Sequence, residues 1–236
     1  MKIIAHRAGP TKYPEQTIQS AKYALSCGAD LVEMDVRYTR DKGLACMHDP
    51  SALRVFGVDK LIEDMSEAEF RALRHKENRA YSSHMAEDYI ACGVYPLLIH
   101  VKDWSVLDDL LELLQKNNYL DKVVFGVQNV KAVKKLKDYA QSLKVLAFMP
   151  GVEKIEEFAN AGADYIRLWE NWMTDESVER VKKTGKELWI MVGKDVVGHD
   201  EWVGVTTKEG IKKMLEYKVD GILINDITFL QENLND

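Results

Sequence analysis

Cysteine is scarce in this chain: Cys27, Cys46 and Cys92 are the only three among 236 residues. They are odd in number, scattered and never in a Cys-x-x-Cys pair. That argues against a disulfide framework or a zinc–thiolate site and points to reduced thiols. A basic excess is missing too. Lys and Arg total 32 against 38 Asp and Glu, a net charge of −6, which speaks against a nucleic-acid partner. No run of 18 apolar residues occurs, so no membrane-spanning helix is expected. The opening MKIIAHRAG has too short an apolar part for a secretory leader, and the expected location is the cytoplasm. Low-complexity tracts and an obvious interdomain linker are absent as well. What is there is a chain 46% hydrophobic, able to bury a full core and long enough for one large domain.

Short apolar runs alternate with longer amphipathic ones. Eight main strands are expected, ending near residues 5, 36, 101, 126, 148, 168, 191 and 224. Apolar residues at helical spacing predict helices over 15–28, 65–74, 105–117, 130–141, 153–161, 174–184 and 207–217. Ser66 and Glu69 have the spacing of a capping box at the second of these, and 43–47 reads as a short extended piece. Gly-Ala-Asp opens two of the strand runs, and VDGILIND echoes both. Eight alternations favour an α/β fold, a (β/α)8 barrel of parallel strands in a single domain, over the alternative of a doubly wound open sheet. Segment 75–94 fits no clean period and is expected as an extended loop or small insertion.

Barrel active sites sit where the strands end. The first strand ends in His6-Arg7, the second in Glu33 and Asp35, the third in His100 and Lys102, and the eighth in Asn225-Asp226. The fourth, fifth and seventh ends are largely apolar, and the sixth offers Arg167 and Trp169. Taken singly, each polar residue reads as ordinary barrel rim. Taken together, they occupy strands that neighbour one another in a closed ring. Paired carboxylates suit a hard cation. Arg and Lys neutralise phosphate oxygens, and two imidazoles can take and give protons on either side of phosphorus. A lysine-based aldolase would need Lys102 as nucleophile, but its neighbours fit phosphate chemistry better.

The order HRAG, YPEQT, GADLVEMDVRYTRD and HD resembles the signature of the glycerophosphodiester phosphodiesterases: His-Arg-Gly, Pro-Glu-Asn-Thr, Glu-x-Asp-Val, a Thr-x-Asp turn and His-Asp. LRVFG and DMSEAEFRALR continue the likeness, which is specific over residues 3–74. VKDW, Trp189 and VDGILIND extend it more loosely. The resemblance implies a single phosphodiesterase barrel over 1–236. It would hydrolyse glycerophosphodiesters, its small-molecule substrates, to an alcohol and glycerol 3-phosphate with a divalent metal. It implies His6 and His48 as the acid/base pair, Glu33 and Asp35 as metal ligands, Arg7 and Lys102 as phosphate-binding groups, and Glu15 as a support for them. It also implies attack by a substrate glycerol hydroxyl, through a cyclic phosphate that water then opens. The oligomeric state is not implied.

Three departures from the family pattern stand out. Gln16 replaces an Asn. Lys42 stands near the usual turn glycine, with Gly43 one place later. His100 replaces the Glu of Glu-x-Lys, which removes a carboxylate from the metal set. Three readings of His100 follow. It joins Glu33 and Asp35 around a metal, which could be Mg, Ca or Mn, although an imidazole favours a transition metal. Alternatively, it binds phosphate as a cation with little or no metal. In the third, the barrel is catalytically impaired and binds phosphodiesters or a protein partner. Phe148, Trp169, Trp189 and Trp202 lie near later strand ends. Their rings would attract a quaternary amine if they walled the site, but packing is the commoner role.

Overall fold

The computed structural model describes residues 1–194 and 202–234. Nine strands form in it: β1 (Lys2–Ala5), β2 (Leu31–Tyr38), β3 (Leu44–Cys46), β4 (Leu97–Val101), β5 (Val123–Val127), β6 (Lys144–Ala147), β7 (Tyr165–Trp169), β8 (Glu187–Met191) and β9 (Gly221–Ile224). The helices are α1 (Ile18–Ser26), α2 (Leu53–Phe56), α3 (Glu67–Arg71), α4 (Ala86–Ala91), α5 (Leu107–Lys116), α6 (Val130–Tyr139), α7 (Ile155–Asn160), α8 (Asp175–Lys183), α9 (Lys208–Glu216) and α10 (Ile227–Asn233). Eight strands pair in parallel in the order β1-β9-β8-β7-β6-β5-β4-β2, and β2 pairs back to β1. That last pairing closes the barrel and excludes the open-sheet alternative.

The pleat sorts side chains into two cores. One parity faces the helices: Val32, Met34, Val36, Leu97, Ile99 and Val101 belong to the outer core. The other parity faces the barrel axis: Ile4, Leu31, Leu98, Val124, Leu146, Tyr165, Trp189 and Leu223 pack there. The Trp189 ring stacks on Tyr165 with centroids 4.4 Å apart. Gly221 makes room for it, since a Cβ there would lie 2.9 Å from the indole. On β1, β2, β4 and β7, continuing by two residues keeps the parity, and the inward positions there become polar: His6, Glu33, His100 and Arg167.

A third, smaller core sits over the C-terminal end of β2. Thr39 N–H donates to the Gly43 carbonyl at 2.9 Å, and Lys42 takes the left-handed conformation the turn requires, with φ 68°. The chain therefore reverses, and β3 runs antiparallel to β2 with Val36 opposite Cys46. Ala45, Met47, Val55, Phe56, Ile62, Met65, Phe70 and Met85 close this cap. Its helix α3 starts in the expected capping box: Glu69 N–H donates to Ser66 Oγ at 3.2 Å and Ser66 N–H to Glu69 Oε2 at 2.7 Å. Segment 75–94 is not wholly a loop, because α4 forms at 86–91 with Ala86, Tyr89 and Ile90 buried. Six residues are too few for a helical period to stand out from the sequence. The short α2 and the C-terminal α10 were not anticipated either.

Candidate active site

Glu33 and Asp35 are two apart on β2, so both point into the barrel mouth. Residues of unusual backbone conformation hold them. Arg7 and Ala8 have φ of 47° and 67°, and Gln16 has 57°, a region that non-glycine residues enter at a cost of about 1–3 kcal/mol each. The distortion turns the Arg7 backbone N–H onto Glu33 Oε2 at 2.6 Å. Gln16 N–H donates to the Arg7 carbonyl at 3.0 Å, and its side-chain amide donates to Asp35 Oδ2 at 2.6 Å. Gln16 thus does from a longer side chain what an amide at that position is needed for.

On the neighbouring strand β4, His100 pairs with Asp35 in register. Its Nδ1 lies 3.0 Å from Asp35 Oδ1 and 3.7 Å from Glu33 Oε1. Lys102 Nζ sits 2.9 Å from the same Asp35 oxygen and 3.1 Å from His100 Nδ1. Burial, reinforced by Asp35, pushes the Glu33 carboxyl up to about 8. Burial acts on Asp35 as well, but Lys102 and the imidazoles of His48 and His100 outweigh it and hold that carboxyl well below the usual range. Burial, then Lys102, lowers His100 to about 3, so its ring is neutral. The reading of His100 as a cation that binds phosphate is therefore not supported.

The two histidines arrive from different pieces of the fold. His6 follows β1 directly, and its Nδ1 lies 2.7 Å from Asn225 Oδ1 at the end of β9. The Asn225 amide nitrogen donates to the Val203 carbonyl at 3.0 Å, so its oxygen faces His6 and accepts the Nδ1 proton. Nε2 of His6 is left with its lone pair. Burial, then Arg7, lowers His6 well below its ordinary value. His48 comes from the cap. Its Nδ1 lies 2.8 Å from Asp49 Oδ1, and its carbonyl accepts two bonds from the Arg37 guanidinium at 2.9 and 2.7 Å. Arg54 on α2 clamps Asp49 at 2.6 Å and Glu15 at 2.6 and 2.9 Å. Glu15 also meets Arg7, but at 3.5 Å, so its main partner is Arg54.

His6, Glu33, His48, His100 and Lys102 line one cavity of about 350 Å³. Gln128, Phe148, Pro150, Arg167, Trp169 and Trp172 complete much of its wall. Of the aromatic residues considered from sequence, Phe148 and Trp169 reach it. Trp189 is 0% exposed in the barrel core below, and Trp202 lines a different cavity, beside Glu170 and Thr206. Arg7 and Glu15 stand behind the wall and act on it through Glu33 and Arg54.

The glycerophosphoryl diester phosphodiesterase family pattern matches residues 6–170. The chain belongs to that family. Its members are phosphoric diester hydrolases. A glycerophosphodiester phosphodiesterase from Caldanaerobacter subterraneus is 26% identical over 239 residues, covering 95% of this chain and 93% of that one. Among solved structures, a phosphodiesterase from Oleispira antarctica in complex with the product sn-glycerol-3-phosphate superposes with a TM-score of 0.85 at 17% identity, covering 100% and 97% of the two chains. A putative glycerophosphodiester phosphodiesterase from Galdieria sulphuraria gives 0.83 at 19% identity, covering 100% and 98%. These structural likenesses establish the barrel.

In this glycerophosphodiester phosphodiesterase barrel, the donor set fits a divalent cation. One ligand atom each of Glu33, Asp35 and His100 lies within 4.8 Å of the others, and all three residues are buried. Glu33 and Asp35 lie side by side and buried, an oxygen donor pair that suits a hard cation. His100 lies beside both carboxylates, where it could complete such a set. One residue beside it escaped the sequence reading. Gln128, just past β5, lies 2.9 Å from His100 Nε2, although that strand end read as apolar. Phe148 stacks on the imidazole at 4.0 Å and 6°, with Gly126 leaving the space. The signal for Gln128 was present: it shares the parity of Val124 and Gly126.

Proposed function

We propose that the protein hydrolyses glycerophosphodiesters to an alcohol and glycerol 3-phosphate, with His6 and His48 exchanging protons and a divalent cation held by Glu33, Asp35 and His100. The single observation behind this reading is that two imidazoles, each held at Nδ1 by a fixed partner, face one cavity together with that donor set. When bound, the cation neutralises and polarises phosphoryl oxygens. Lys102 adds a second positive charge beside it.

His6 is neutral with its Nε2 lone pair available, so it takes the proton of the attacking hydroxyl, a neighbouring glycerol hydroxyl of the substrate. The phosphorus–oxygen bond to the alcohol breaks, and His48 gives its proton to the leaving oxygen. Asp49 offers the counter-charge a proton donor needs. In the second step a water opens the cyclic phosphate: His48 takes the water's proton and His6 returns its own to the ring oxygen. Both histidines end as they began.

Release of glycerol 3-phosphate from a glycerophosphodiester, followed by enzymatic assay with and without EDTA and across Mg²⁺, Ca²⁺, Mn²⁺ and Co²⁺, tests the reading. Turnover that requires metal and both histidines supports it. No turnover with any of these metals sinks it in favour of a barrel that only binds.

A further inference from the structure

The wall of the cavity opposite the carboxylates carries its own cation. Counting round the ring in either direction, β7 is the fourth strand from β2, so Arg167 stands across the mouth from Glu33 and Asp35. It is 4% exposed and lines the same cavity. Its guanidinium carbon lies 4.7 Å from the Trp169 ring centroid, 5.2 Å from Phe148 and 5.4 Å from Trp172. Three ring faces converging on one cation is the arrangement that recognises quaternary ammonium ligands. Here the protein fills that arrangement itself.

We infer that Arg167 determines specificity for the alcohol half of the substrate: it bars a quaternary ammonium from the aromatic wall and offers N–H donors to a polyhydroxylated, uncharged alcohol. The inference rests on the phosphodiesterase reading above. With phosphate held on the β2 and β4 side, the alcohol extends towards β7. A choline head group arriving there finds the ring faces engaged and a like charge beside them. A glycerol moiety finds a guanidinium, whose donors are planar, rigid and never deprotonated.

The test compares kcat/KM for glycerophosphoglycerol and glycerophosphocholine in the wild type, Arg167→Met and Arg167→Lys. The wild type is expected to favour the glycerol diester about tenfold, a factor within the range of a single cation–π interaction. Arg167→Met is expected to lose or reverse that preference, and Arg167→Lys, which keeps the charge, to retain most of it. A second readout needs no turnover: choline chloride should quench tryptophan fluorescence in Arg167→Met but not in the wild type. Wild-type preference for the choline diester, or an unchanged ratio in folded Arg167→Met, overturns the inference while leaving the phosphodiesterase reading intact. Absence of turnover on both diesters, with the choline-dependent quench confined to Arg167→Met, removes the phosphodiesterase reading but supports Arg167 as the barrier to choline.

Discussion

In the lower half of the barrel interior, Leu31, Leu98 and Tyr165 point inward and are buried. Two residues further along the same three strands, Glu33, His100 and Arg167 point inward and are buried as well. Pleat, neighbours and degree of burial are alike, yet the chemistry is opposite. The lower positions gain by leaving water, at about 25 cal/mol per Å² of apolar surface. The upper positions lose by it, and the cost is met by mutual bonds: Glu33 to the Arg7 amide, Asp35 to Gln16, Lys102 and His100, His6 to Asn225. The lower layer therefore specifies the barrel, and the upper layer is a chemical device the barrel can carry.

Substitutions that strike one layer and spare the other give the sharpest break in this comparison. His6→Ala or His48→Ala should lower kcat by roughly 10²- to 10⁴-fold, the range of a lost general acid or base, with little change in the thermal midpoint by circular dichroism. A large fall in that midpoint would contradict the division. Trp189→Ala should do the reverse. It empties a fully buried indole site and should cost about 3–5 kcal/mol in urea unfolding, with kcat of the protein that remains folded close to wild type. Asp49→Asn keeps the shape but removes the charge beside His48, and activity should fall about 10- to 100-fold, as for other partners that orient a working ligand. If kcat is unchanged, Asp49 only anchors Arg54.

A smaller effect belongs to the cap. Burial lowers His75 to about 4, and its ring packs on Phe56 with centroids 4.9 Å apart. The unfolded chain, near 6.5, binds this proton more readily than the folded one. Stability from this residue is therefore full above pH 6.5 and is lost as pH falls towards 4. The loss, measured as the difference between wild type and His75→Leu across that window, should be about 3 kcal/mol. Equal slopes for the two proteins would show that His75 binds its proton equally well folded and unfolded.

The fold could be read from the sequence because eight apolar runs and their intervening helices each obey one period, and a closed ring satisfies them all. The carboxylate pair and both histidines could be read because they lie within one continuous, motif-bearing stretch. The rest depends on residues brought together from afar. Parity puts Gln128 at the mouth, but its meeting with His100 depends on the register of β4 and β5. Arg167 was visible as a polar residue at a strand end with Trp169 beside it, but the Phe148 ring comes to it from the end of β6. Arg54 lies in LRVFG, a stretch the likeness covers, but its hold on Glu15 spans 39 positions. Helix α4 was hidden by its brevity.

His48 rides on the cap, whose core of Met47, Val55, Phe56, Ile62, Met65, Phe70 and Met85 is separate from both barrel cores. Small cores open more readily than large ones. The cap and the barrel thus have separate cores, and the cap bearing His48 and Arg54 is expected to open more often than the barrel bearing His6, Glu33 and His100. Amide exchange would register this as faster labelling over 44–75 than over β1, β4 and β9, and each such opening would silence the chemistry without unfolding the barrel.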